Sequence, residues 1–115
     1  MITLHGIPNC DTVKKARAWL EARGIAYDFH DFKKRGVDAA MLEGWAAVVG
    51  WEALLNRRGT TFRGLDEADK ADIDRAKALG LMAAHPSLIK RPVVTDASGN
   101  VTVGFSDRSF ADQWG

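Results

Sequence analysis

Apolar and polar positions follow two rhythms along this chain, and the change from one to the other marks its elements. Ile2 to His5 is a short, apolar, β-branched run and reads as a buried strand. Val13, Ala16, Trp19 and Leu20 then recur at helical spacing. Lys14, Lys15, Arg17, Glu21 and Arg23 fall mostly elsewhere around the wheel, so residues 11–23 predict an amphipathic helix with Trp19 in the core. Asn9 or Asp11 is placed to cap it and Gly24 to stop it. Residues 25–32 return to a strand pattern. Two strands joined by a single helix form a βαβ unit, with parallel strands and a right-handed crossover.

The middle of the chain is helical. Lys33, Lys34, Arg35 and Gly36 read as a solvated basic turn. Residues 38–49 predict a helix with Met41, Leu42, Trp45, Val48 and Val49 on one face and Gly50 as its stop. Residues 51–55 predict a short helix. Asp66 is placed to cap a helix over 67–79 that stops at Gly80, with one more turn before Pro86. The strand rhythm resumes in 88–95. Asp96 to Asn100 is turn chemistry and Val101 to Val103 follows, which predicts a hairpin. Ser106 or Asp107 then caps a last helix carrying Phe110 and Trp114. No repeat, linker or low-complexity segment interrupts this order. The reading is one domain over 1–115 with a helical insertion at approximately 37–85.

Composition narrows the function classes. The net charge is +1 over 115 residues, so the overall field favours no direct contact with nucleic acid. The first residues lack the pattern of a signal peptide, and no run approaches the roughly 20 apolar residues that span a bilayer. With one cysteine, no internal disulfide can form. Any disulfide must be made with another molecule, which fits a reducing cytoplasm. A monomer is expected. No His/Cys cluster suggests a metal and no Gly-rich phosphate loop suggests a nucleotide.

That cysteine, Cys10, stands where the first strand stops and the first helix begins. The first turn of a helix has unpaired N–H groups and the positive end of the macrodipole. A thiolate is stabilised there, which moves the thiol from about 8.5 toward about 7 and makes it the better nucleophile. Gly6, Pro8 and Asn9 favour an exposed turn around it. The alternative is a small buried residue, the common fate of a free cysteine. His5 reads as a hydrogen-bonded histidine at a strand end rather than as a catalytic base.

The order β-α-β, helical insert, β-β-α is that of an α/β, thioredoxin-like fold with a small mixed four-stranded sheet. Pro92 opens the third strand. In that fold this proline is usually cis, lies beside the cysteine, and presents backbone polar groups to a thiol substrate. An X–Pro bond takes the cis form far more readily than any other peptide bond. Arg91 would then supply a fixed positive charge at Cys10 and a planar fork for a carboxylate or oxyanion. Alternatively, Lys90 and Arg91 are exposed charges protecting a strand edge.

The run Gly6-Ile7-Pro8-Asn9-Cys10-Asp11-Thr12-Val13-Lys14-Lys15-Ala16 resembles the active loop of the arsenate reductase (ArsC)/Spx family, nearest its YffB-like branch. Further likenesses are Gly50 to Arg63, Pro86 to Pro92 and Val103 to Ser106. The resemblance implies a cysteine nucleophile and glutathione or a glutaredoxin as electron source. It implies a small oxyanion or a disulfide as substrate, and no tightly bound cofactor. It makes Cys10 and Arg91 the catalytic pair and assigns Asn9, Asp11, Thr12, Lys14, Arg58 and Pro92 to substrate or glutathione. Glutathione-linked arsenate reductases hold the oxyanion with three arginines. Arg91 matches one. Asn56 and Phe105 stand at or near the other two, although Arg57 and Arg58 follow Asn56 at once. Spx-type regulators often carry a second cysteine three residues after the first, where this chain has Val13. The implied function is a glutathione-dependent thiol–disulfide oxidoreductase. The alternative is an Spx-like regulator that docks on RNA polymerase without turnover.

Overall fold

A computed structural model describes all residues 1–115. The chain divides into two compact units, residues 1–35 with 91–115, and residues 36–90.

The first unit holds the sheet. Strand β1 (Ile2–Gly6) leads through the Cys10 turn into helix α1 (Asp11–Ala22), strand β2 (Tyr27–Asp31) and a single helical turn, α2 (Phe32–Arg35). After the second unit come β3 (Val93–Thr95), β4 (Val101–Val103) and the last helix, α8 (Asp107–Trp114). The strand order is β2-β1-β3-β4. β1 pairs parallel with β2 and antiparallel with β3, and β3 pairs antiparallel with β4, so the sheet is mixed as expected.

Side-chain alternation along β1 gives the two faces of the sheet different chemistry. Leu4 pairs with Phe29 and Val94, and it packs with Val13, Ala16, Trp19, Leu20 and Phe110 in one cluster. These four α1 residues are the ones whose spacing predicted the helix. Its neighbour His5 pairs with His30 and Val93 on the opposite face, and all three are buried. The basic turn at 33–36 is helical through Arg35, started by the Lys33 N–H donating to Asp31 Oδ1 at 2.9 Å.

The second unit is built from α3 (Ala39–Val49), α4 (Trp51–Leu54), α5 (Thr60–Arg63), α6 (Glu67–Lys70) and α7 (Arg75–Ala84), followed by a 3₁₀ turn at Pro86–Leu88. Its buried side chains include Leu42, Trp45, Leu54, Leu79, Met82 and Leu88. Asp38 caps α3 by accepting the Met41 N–H at 2.8 Å. Val48, placed on the apolar face by periodicity, is 56% exposed, and Ala46 is buried instead.

The single helix expected over 67–79 is two helices. Asp72 takes a positive φ of 50° and breaks the run. Asp74 then caps α7 by accepting the Lys77 N–H at 2.9 Å, while the Lys77 ammonium donates to the carbonyls of Ala68 and Ala71. A local cap and a carbonyl clamp here outweigh the propensity of an alanine-rich run. For the same reason Gly80 lies inside α7 rather than ending a helix.

Candidate active site around Cys10

Cys10 itself occupies the N-cap position of α1, with extended φ −103° and ψ 126°. Asn9 and Asp11, the caps expected from sequence, flank it, and both are exposed. At an N-cap the side-chain atom normally accepts from the second and third N–H groups of the helix. Here that atom is sulfur, and it makes no regular capping hydrogen bond, so the N–H groups act on it as nearby dipoles. The loop is closed by the Cys10 N–H donating to Ile7 O at 3.2 Å, and the helix by the Lys14 N–H donating to Cys10 O at 2.9 Å.

Five influences set the ionisation of this thiol. Burial pushes it up most strongly, since Cys10 is half-buried with one side against the Leu4–Phe110 cluster. Acting against burial are, in order, the Val13 N–H, a hydrogen bond from the Arg91 side chain, and the Thr12 N–H with the charge of Arg91. Together they outweigh it and leave the thiol below its ordinary value. Thus the buried-cysteine reading describes one side of the sulfur and the reactive reading describes the other.

Arg91 is half-buried and precedes Pro92 across a cis peptide bond, as expected. Lys90 is exposed, but it lies before β3, which is flanked by β1 and β4, so neither Lys90 nor Arg91 guards a strand edge. Pro92 is buried, and its carbonyl accepts the Gly104 N–H at 2.8 Å. Of the remaining expected site residues, Thr12 contributes its N–H, while the Lys14 side chain is exposed. Arg58 belongs to the helical unit, where its N–H donates to Asn56 Oδ1 at 3.1 Å. The backbone N–H of Val13 was not anticipated, although its position three residues after the cysteine is legible once Cys10 is taken as the cap.

Thr12 also helps to line an open groove of about 720 Å³, together with Lys15, Trp19, Phe105 and Asp107. Its lining combines two aromatic rings with one cation and one anion. Asp107 was expected only as a cap of the last helix, and Lys15 only on the polar face of α1. Phe105 contributes apolar surface to this groove.

Residues 5–112 match the model of the ArsC family. The chain belongs to the ArsC family. With that membership goes the thioredoxin-like fold. The chain is similar over its whole length to the solved structure of a YffB protein, with 52% identity, full coverage of both chains and a TM-score of 0.95. It is also similar to the solution structure of an arsenate reductase (ArsC) related protein from Brucella melitensis. That match has 50% identity, covers 98% of this chain and 93% of the other, and has a TM-score of 0.78. A more distant relative is the global transcriptional regulator Spx of Streptococcus pneumoniae, 28% identical over 93% of this chain and 80% of its own. No helix is long and apolar enough to cross a membrane.

On the other face of the sheet, burial holds the His5 imidazole down to about 4. The Val93 carbonyl raises it, and the charges of His30 and Arg35 lower it further. The unfolded chain binds this proton near 6.5 and the folded chain near 4, so stability falls as pH drops through that window. Denaturant unfolding is expected to show a loss of up to about 3 kcal/mol between these limits, and none of it above 6.5. A flat profile across the window would contradict the burial of a neutral His5.

Proposed function

We propose that this ArsC-family chain is a glutathione-dependent thiol–disulfide reductase that uses Cys10 as its single nucleophile. The observation that carries the reading is a half-buried sulfur facing the Thr12 and Val13 N–H groups and the Arg91 guanidinium. The Cys10 thiolate attacks the glutathionyl sulfur of a mixed disulfide between the substrate and glutathione. A bond forms between the two sulfurs, the substrate S–S bond breaks, and the departing thiolate takes a proton from water. With no second cysteine in the chain, an external thiol must resolve the mixed disulfide. Glutathione thiolate attacks the glutathionyl sulfur, releases oxidised glutathione and returns Cys10 as thiolate. The two electrons that reduce the substrate come from glutathione.

Arg91 holds Cys10 ionised and offers its fork to a carboxylate of the bound tripeptide. The open groove that Thr12 helps to line gives the rest of such a ligand room. Arsenate is a poorer substrate for this site. Each charge-assisted contact missing at Asn56 or Phe105 removes about 1.5–3 kcal/mol from a bound oxyanion. The chemistry suits a monomer in a reducing compartment such as the cytoplasm.

Exposure to oxidised glutathione is expected to add one glutathionyl group at Cys10, seen by intact mass spectrometry and removed by excess reduced glutathione. Cys10→Ser is expected to stay unmodified. Absence of an adduct on the native chain would overturn the proposal. The similarity to Spx favours a second reading, docking on RNA polymerase without turnover. It predicts capture of polymerase by the native chain and by Cys10→Ser alike.

A further inference from the structure

We infer that His5 is a positioning residue for the Cys10–Arg91 pair, holding the first residues of β3 so that the Arg91 guanidinium stays on the sulfur. The inference rests on the reading of Cys10 as a nucleophile activated by Arg91.

His5 Nδ1 lies 2.8 Å from the Val93 carbonyl oxygen in a buried contact. A carbonyl only accepts, so Nδ1 carries the hydrogen and donates. Val93 is the second residue after Arg91. The residue between them, Pro92, has its own carbonyl held from the β4 side by the Gly104 N–H at 2.8 Å. Two consecutive carbonyls directly after Arg91 are therefore pinned from opposite sides, one by a backbone group and one by the His5 ring. His5 also stands five residues before Cys10 on the strand that runs into the Cys10 turn, so one residue ties both reacting segments together.

The ring is itself held. Its centroid is 5.2 Å from that of His30, which packs edge-on against Phe32 at 5.9 Å. His5 is 6% exposed. It is nearly sealed from solvent, so its effect on the chemistry passes through the strand it holds. Near neutral pH the ring is uncharged, so it acts as a fixed donor and not as a base.

The test is the Cys10 thiolate titration, followed by ultraviolet absorbance, in native protein, His5→Phe, His5→Asn, Arg91→Leu and the double variant H5F/R91L. Asparagine places an amide N–H where Nδ1 stood, and phenylalanine keeps the ring without the donor. His5→Phe is expected to lower the thiolate fraction near neutral pH about two- to fivefold, and His5→Asn to restore most of it. In the Arg91→Leu background His5→Phe is expected to add nothing, since contacts acting through one group are non-additive. An unchanged thiolate fraction in folded His5→Phe would overturn the inference, as would the same fold-loss with and without Arg91. His5→Leu serves as a second donor-free variant should the phenylalanine form not fold. An undepressed thiol in the native protein would instead overturn the reading of Cys10 itself.

Discussion

Phe110→Ala is expected to destabilise the protein by about 3–5 kcal/mol, the range for a fully buried phenylalanine cut to alanine. Phe110 has no exposed surface and is the one fully buried residue of α8. Its ring meets Trp19 edge-on at 5.4 Å and Phe105 at 4.7 Å. Removing it opens a cavity beside Leu4 and Leu20 in the same cluster and releases the contact that seats α8. Small domains hold only about 5–15 kcal/mol in total, so the loss is a large share of the stability. The check is denaturant unfolding read as a fall in midpoint at unchanged slope. A loss under about 1 kcal/mol would mean that α8 is held elsewhere, with the Ser106–Ser109 capping box the first alternative.

Arg91→Leu is expected to leave the fold intact and raise the Cys10 thiol. An opposite charge within contact commonly shifts a thiol or carboxyl by about one to three pKa units. Cys10 is half-buried, so the lower end applies and the thiolate fraction near neutral pH should fall about tenfold. Alkylation should slow less, by about threefold, because a more basic thiolate is also a better nucleophile. At alkaline pH, where the sulfur is fully ionised, the variant should match or exceed the native rate. Arg91→Lys keeps the charge without the planar fork and should recover part of the thiolate fraction but little of any carboxylate recognition. Equal thiolate fractions in native protein and Arg91→Leu would show that the helix alone activates the sulfur.

The parts of this molecule that were legible in the sequence are those where one face of an element is buried. Val13, Ala16, Trp19 and Leu20 announce α1 because burial and helical period coincide there. The βαβ start, the hairpin at Asp96–Asn100 and the Ser106 cap follow from equally local chemistry. Cys10 was legible as a residue at a helix start, and Arg91 only through the proline beside it. That Cys10 would itself be the cap was hidden, because Asn9 and Asp11 are both better capping residues. The break at Asp72 was hidden for a different reason. An alanine-rich stretch satisfies helical spacing on either side of it, and the clamp that ends the first helix comes from Lys77, several residues ahead. The His5–Val93 bond joins residues 88 apart in sequence, so no local pattern could reveal it.

The central claim is that Cys10 is held ionised by the N–H groups at the start of α1 and by Arg91. The most direct measurement is the ultraviolet titration of its thiolate in the native protein, with Cys10→Ser subtracted as the blank. The account predicts a midpoint below the ordinary thiol value of about 8.5. A midpoint at or above that value would contradict it.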